Sequence, residues 1–322
     1  MVETFFYDAN GHDEQITLDQ QVLDGVKKQQ LIWIDAERAD RDGLTQTAEI
    51  LGLDQDTLSA LNESKPPSQI VLYPDYFWFS LPLPILTGPP NPRLDFVVAP
   101  TWLLTVRDTE IDYLSQFRKQ NRGESYNGKL TPAALTASLL DRHLDWYQAE
   151  IAKLQQATDK IDNDILSEGV PRPPLKALSA LHHRNMRIRR LVAEHRPIIH
   201  GLLRPDFDPL AGTTDAEFFR AMENHFLRTE EMVDHTREMV VGSFELYATR
   251  TAQDTNQLLK VLTVITLIIG LTGAIAGIFG MNFETPFTKT GVHGFYITTC
   301  IMALTAGAIW IVAIWKNWLN RD

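Results

Sequence analysis

The chain has 322 residues, 44% of them apolar, so a disordered chain is excluded and the length allows about two domains. Its 41 acidic side chains outnumber 30 basic ones for a formal charge of −11, which argues against a nucleic-acid partner, because neutralising phosphate needs clustered Lys and Arg. A single cysteine, Cys300, excludes a disulfide framework and any multi-cysteine zinc site.

The first residues, MVETFFYDANGHDEQ, have no basic start and no apolar stretch, so no signal peptide is expected. Leu31-Ile32-Trp33-Ile34 reads as a short strand ended by Asp35. Leu44 to Leu61 has helical spacing, with Leu44, Ala48, Leu51 and Leu58 on one side. Ile70–Leu72, Tyr76–Leu81, Leu94–Val98 and Trp102–Val106 read as strands with Pro and Gly between them. Pro82, Pro84, Pro89, Pro90 and Pro92 mark one exposed connection. Strands mixed with helix predict an α/β domain over residues 1–130.

From Thr131 the pattern becomes helical. Thr131-Pro132 is a capping hydroxyl followed by proline at the first helical position. Leu135, Leu139, Leu144, Ile151, Leu154 and Ile161 then recur at helical spacing to about Ser167. Gly169-Val170-Pro171-Arg172-Pro173-Pro174 is a hard break. A second helix is expected over residues 175–203, ended by Arg204-Pro205. A third starts near Thr214 and meets no breaker before Phe279, about 100 Å of continuous helix. Its row Phe219, Met222, Phe226, Thr229, Val233, Thr236, Val240 and Tyr247 keeps a 3.5-residue spacing, a coiled-coil-like seam with polar members. A helix of that length cannot pack on its own chain alone, so symmetric self-association is expected. Between Thr214 and Asp254 it carries nine acids against four arginines, either a solvated face or an antechamber that concentrates cations.

Two uncharged runs follow. Val261 to Phe279 is 19 residues long and Phe295 to Trp315 is 21. At about 1.5 Å per residue each crosses a hydrocarbon core of about 30 Å. Buried core helices are the alternative, but such helices rarely run this long without a charge. Trp310, Trp315 and Trp318 fit an interfacial aromatic belt. Lys260 flanks the first run, and Lys316 and Arg321 flank the second, whereas the loop between them offers only Lys289, offset by Glu284. The positive-inside rule therefore puts both chain ends in the cytoplasm of a cell (inner) membrane protein. The expected organisation is a cytoplasmic α/β domain (1–130), a cytoplasmic helical domain and stalk (131–260), a first span (261–279), an outer loop (280–294), a second span (295–315) and a cytoplasmic tail (316–322).

Along the first span, Asn256, Leu259, Thr263, Thr266, Gly270, Gly273, Gly277 and Gly280 step by three and four and form one face, mostly small and uncharged. The face suits close helix packing, since Gly273-Ala274-Ile275-Ala276-Gly277 is a small-xxx-small pattern. It equally suits the lining of an aqueous pore, with Leu and Ile turned to lipid. Two spans cannot enclose a pore, so a pore requires several chains around an axis.

Directly after this span comes Gly280-Met281-Asn282, before a short loop and a final span. In that position the tripeptide resembles the signature of the CorA-type magnesium transport family. Leu31 to Asp35 with the following helix, Trp102 to Arg107, Leu139 to Asp145 and Thr255 to Thr263 are similar to further parts of that family, so the resemblance covers nearly the whole chain. It implies a funnel-shaped homopentamer in membrane lipid, with the stalk helix continuing as the pore-lining helix. It implies divalent cations, Mg²⁺ first and also Co²⁺ and Ni²⁺, as cargo, with no cofactor. Asn282 matches the asparagine whose side-chain oxygen faces the entering hydrated ion. Gly280 and Met281 match residues that shape and brace that loop. Asn256, Leu259 and Leu262 match the entrance rings. Gly270 and Gly273 fall where relatives carry larger side chains, which would widen or loosen the mid-pore.

The chemistry agrees. Mg²⁺ gives up water reluctantly, and a ring of neutral carboxamides can hydrogen-bond its water shell without stripping it. Glu284 just outside could attract cations or pair with Lys289. Leu259 and Leu262, repeated around an axis, could gate by dewetting. A Zn²⁺-transporting branch shares this architecture, and His182, His183, His225 and His235 are candidates for a zinc-sensing site, although histidines on helices are more often surface or core residues. A different class also fits: a membrane-anchored oligomeric sensor or interaction protein, in which Asn282 would be replaceable. No Walker loop, GxSxG or HExxH is present, so an enzyme is not expected. Asn62-Glu63-Ser64 matches a glycosylation sequon, which a cytoplasmic position would make irrelevant.

Overall fold

The computed structural model describes residues 1–8, 13–27, 30–63, 70–85, 92–120, 130–167, 175–204, 207, 209, 215–281, 291–316 and 318. These fall into two compact units, Met1–Ile161 with Pro173–Gly242, and Asp162–Arg172 with Ser243–Asp322.

The first unit is built on a seven-stranded sheet: β1 (Val2–Asp8), β2 (Glu14–Ile16), β3 (Gln30–Glu37), β4 (Val71–Leu72), β5 (Phe77–Pro82), β6 (Arg93–Val98) and β7 (Trp102–Arg107), in the order β2-β1-β3-β7-β6-β5-β4. All neighbours are antiparallel except the central pair β3 and β7, where Ile32 lies beside Trp102 and Glu37 beside Arg107. Covered on both faces, the central strands bury nearly every side chain, as the continuous apolar run Leu31 to Ile34 requires. One face, with Ile32, Ile34, Trp78, Val97 and Leu104, packs under α1 (Gln20–Gly25), α2 (Arg41–Leu51) and α3 (Gln55–Asn62). On the other, Trp33 meets Phe117 of α4 (Asp112–Gln120) edge-on at 5.5 Å, and Phe77 meets Phe207 at 5.1 Å.

Asp35 does not end its strand. It lies inside β3, fully buried, with Arg107 Nε at 2.9 Å and Arg118 Nη1 at 2.5 Å. Burial pushes its pKa up, and the two guanidiniums and the Thr105 hydroxyl pull it down. Asp95 is its counterpart in β6, also fully buried, at 2.6 Å from Arg38 Nη2 and 3.5 Å from Arg93 Nη2. Arg38 and Arg93 in turn donate to the Leu61 carbonyl at the end of α3, so the cluster ties that helix to the sheet. The single helix expected from Leu44 to Leu61 is two, α2 and α3. Gly52 divides them with φ of 67°, its N–H bonding back to the Ala48 and Glu49 carbonyls.

The helical part follows its sequence pattern closely. α5 runs Pro132–Leu166, and the Thr131 hydroxyl accepts from the Ala134 N–H at 3.0 Å. The expected second helix is divided into α6 (Leu175–Ala193) and α7 (Arg196–Leu202). Pro197 has no N–H for the Ala193 carbonyl and its ring would clash there, so the helix cannot run through. α8 spans Asp215–Phe279 and passes from the first unit into the second.

From Phe219 to Val240 the 3.5-residue seam is buried inside the chain, and Tyr247 is partly buried. Phe219, Met222, Phe226, Val233 and Val240 are buried, and so are the polar members Thr229 and Thr236. Gln148 Nε2 donates to Thr229 Oγ1 at 3.0 Å and Gln155 Nε2 to Thr236 Oγ1 at 2.9 Å. Seven residues apart on both helices, these two pairs set the register of α5 against α8. Two of the acids on α8 are paired with arginines, Glu230 with Arg196 at 2.7 Å and Asp234 with Arg189 at 3.0 Å, and Asp215 accepts from the Thr131 hydroxyl at 2.7 Å. That leaves less unbalanced charge for an antechamber than the composition suggests.

Candidate functional site

Among the described residues, two helices are long and apolar enough to cross a membrane: α8, whose part from Ser243 lies in the second unit, and α9 (Gly291–Trp315). Only 6% of the most apolar stretch of each is buried, which excludes the reading of them as core helices. Ile269 is 65% exposed and Leu304 73%. Apolar side chains turned outward in this way need lipid or neighbouring chains as their solvent.

From Asp254 onward the partly or fully buried positions of α8 are Asp254, Gln257, Val261, Val264, Ile268, Thr272 and Ile275. On α9 they are Gly294, Thr298, Met302, Thr305, Ala306, Ile309 and Ala313. These two rows are where α8 and α9 meet. The small and polar row is elsewhere: Asn256, Leu259, Thr263, Thr266, Gly270, Gly273, Gly277 and Gly280 are all exposed, as is Leu262. At about 100° per residue its centre lies roughly 180° around α8 from the α9 contact. A Cβ built on Gly270, Gly273 or Gly277 would meet no atom within 4 Å. The glycines therefore do not serve packing within the chain. Every face-forming side chain predicted from the sequence is presented outward, free for a neighbouring copy or for water.

The polar chemistry of this face is simple. The Thr263 hydroxyl donates to the Leu259 carbonyl at 2.7 Å and the Thr266 hydroxyl to the Leu262 carbonyl at 2.8 Å. Their protons are satisfied along the helix, and their oxygen lone pairs remain outward to accept from water. The helix closes at Phe279, where the Gly280 N–H bonds the Ala276 carbonyl at 2.8 Å. Met281 follows, half exposed. Asn282, Glu284 and Lys289 lie outside the described residues.

Sequence reasoning missed one contact just before the apolar stretch of α8. Gln257 Nε2 donates to the Trp318 carbonyl at 3.2 Å, beyond the end of α9. A glutamine one position from Asn256 carries no pattern that would reveal it.

The histidines that stand out in the sequence do not form a metal centre: among the described residues no group of three His, Cys, Asp or Glu side chains could hold an ion. His225 has Asp141 at 2.5 Å from Nδ1 and Asp145 at 3.6 Å from Nε2, on opposite edges of its ring, so the donors do not converge. The notable pair is another. His143 of α5 and His195, between α6 and α7, are fully buried with their Nε2 atoms 3.0 Å apart. The Leu191 carbonyl, 2.9 Å from His195 Nδ1, can only accept, so that nitrogen carries the proton and His195 Nε2 is an acceptor. His143 Nε2–H then donates to it, and His143 Nδ1 accepts from the Tyr113 hydroxyl at 3.2 Å. Burial lowers both pKa values, that of His195 to about 4, so both rings are neutral.

An α/β and helical unit followed along the chain by a unit with two long apolar helices is the organisation of a two-span membrane protein. The chain belongs to the family described as CorA-like Mg2+ transporter protein, whose model matches residues 28–315. It is 28% identical over 188 residues to a Cobalt/magnesium transport protein CorA of Thermotoga maritima, covering 58% of this chain and 52% of that one. It is 24% identical over 197 residues to a putative metal ion transporter, YfjQ, of Bacillus subtilis, covering 60% of each. The chain thus spans about half the length of the curated relatives it matches. Among solved structures, the CorA magnesium transporter from Methanocaldococcus jannaschii has a TM-score of 0.75 at 18% identity, covering 96% of both chains. The ZntB cytoplasmic domain from Vibrio parahaemolyticus has a TM-score of 0.60 at 12% identity, covering 78% of this chain and 98% of that one. These two likenesses bear on fold.

Proposed function

We propose that this chain is one subunit of a homopentameric channel for hydrated divalent cations, Mg²⁺ first and Co²⁺ and Ni²⁺ by the same route, in the cell (inner) membrane with both ends cytoplasmic. The observation that carries this is the orientation of the α8 face: Asn256 through Gly280 points away from α9 and is filled by nothing in the chain. Repeated around an axis, it forms a lining of small side chains and outward hydroxyl oxygens, with Asn256, Leu259 and Leu262 as entrance rings. Asn282 supplies the outer carboxamide ring, with Gly280 and Met281 shaping its approach and Glu284 raising the local cation concentration. The relatives named for cobalt and magnesium support the choice of ion. The lining needs only to pass the ion with its water, which suits an ion that dehydrates reluctantly.

The test is ion uptake into proteoliposomes carrying the full-length protein, with Mg²⁺, Co²⁺ and Zn²⁺ compared and Asn282→Ala alongside. Mg²⁺ flux reduced at least tenfold by Asn282→Ala is expected. Zn²⁺ flux without Mg²⁺ flux would move the protein to the zinc branch. Verified oligomers that carry no ion would make it an anchored sensor instead.

A further inference from the structure

Gln257 sits at the cytoplasmic end of the proposed pore face, between Asn256 and Leu259, but on the other side of the helix, in the row that meets α9. Its carboxamide reaches the chain beyond α9. There the Lys316 N–H bonds the Val312 carbonyl at 3.0 Å and the Trp318 N–H bonds the Ala313 carbonyl at 2.9 Å. Lys316 Nζ lies 5.7 Å over the Trp318 ring. Lys316 and Trp318 are thus both hydrogen-bonded to the last carbonyls of α9. The Trp318 carbonyl takes the Gln257 Nε2–H at 3.2 Å.

The geometry points to Gln257 as a positioning residue: with the Trp318 turn it forms a clamp that fixes the rotation of α8 at the entrance. The physical reason is leverage. Side-chain atoms lie about 5–6 Å from a helix axis, so a 20° turn of α8 carries the Gln257 amide about 2 Å, more than a hydrogen bond tolerates. The same turn swings Asn256 and Leu259 across the entrance. Any change of setting at those rings must therefore break the clamp, and an intact clamp holds them in register with α9. This inference deepens the conduction reading above and rests on it.

The experiment uses full-length protein with Cys300→Ala. A reporter cysteine, Asn256→Cys, is labelled with a soluble maleimide, with and without Gln257→Leu, which removes the donor at similar volume. Mg²⁺ flux is measured with Gln257→Leu alone. Loss of the clamp is expected to speed labelling at least threefold and to raise flux at least threefold. Leu258→Ala, at an exposed neighbour outside both rows, is expected to change neither. A second variant guards against misfolding: Gln257→Met keeps the length and lacks the donor, and should speed labelling and raise flux as Gln257→Leu does, in oligomers that elute at the wild-type size. Labelling and flux both within 1.5-fold of wild type in Gln257→Leu and Gln257→Met overturns the clamp. A wild type that carries no Mg²⁺, with labelling still faster in Gln257→Leu, retires conduction and keeps the clamp.

Discussion

Asp35 shows how one charged residue can be misread from sequence. A carboxylate after an apolar run reads as the end of a strand, because an unpaired buried charge is prohibitively costly. Its two guanidinium partners come from 72 and 83 residues further along the chain, and only the fold brings them together. Removing the carboxylate leaves Arg107 to Glu37 and Glu110, and Arg118 to Glu3 and Glu110, all more exposed than Asp35. Asp35→Asn is expected to cost about 1.5–3 kcal/mol, read as a shift in the denaturation midpoint of full-length protein followed by tryptophan fluorescence. The His143–His195 pair gives a prediction in pH. Unfolded histidine titrates near 6.5, whereas folded His195 titrates at about 4, so below 6.5 the unfolded chain binds the additional proton. The contribution is present above pH 6.5 and is lost as pH falls towards 4, about 3 kcal/mol from His195 alone. Denaturation midpoints measured between pH 7 and 4 should fall accordingly, and the double variant His143→Gln, His195→Gln should flatten that part of the profile.

At the scale of elements, the long helices were legible, and the breaks at Gly52 and Pro197 were not. The run Pro132–Leu166 and the start of α8 at Asp215 match their caps and periodicity within a residue or two. Gly52 and Pro197 each divide a stretch that apolar spacing alone joins, because spacing reports which side is buried and says nothing of backbone angle. Gly52→Ala forces a Cβ into φ of 67° and is expected to cost about 1 kcal/mol, measured by the same denaturation. Strands β1 and β2 and helices α1 and α4 were not foreseen. β1, VETFFYD, carries the β-branched and aromatic residues of a strand, but no turn signal before it marks a boundary. The seam of α8 was foreseen in spacing; that it would be filled by α5 of the same chain depended on Gln148 and Gln155 meeting Thr229 and Thr236.

For the whole molecule, the outward face of α8 decides what can be tested. Gly273→Leu meets nothing inside the chain, so the fold of a single subunit should tolerate it. If the face lines a pore, the added side chains crowd the lining. Mg²⁺ flux is then expected to fall at least tenfold, while the oligomer elutes at its usual size and the denaturation midpoint is unchanged. A variant that instead fails to assemble would show that Gly273 packs between copies, and the lining would have to be sought on another face.

The amino-acid sequence by itself determined the two apolar spans, the long helix, the mixed α/β start and the motif that pointed to the family. Each is written in local quantities: length without charge, periodicity, caps and a tripeptide at a defined place. Tertiary structure decided which faces meet. Helical spacing identifies a stripe, but Val264 and Gly270 are equally plausible contact positions until α9 is in place, and only then does one prove buried and the other open. The same holds for the buried ions and the histidine pair, whose partners lie from 52 to 83 residues away and whose protonation follows from the groups that surround them.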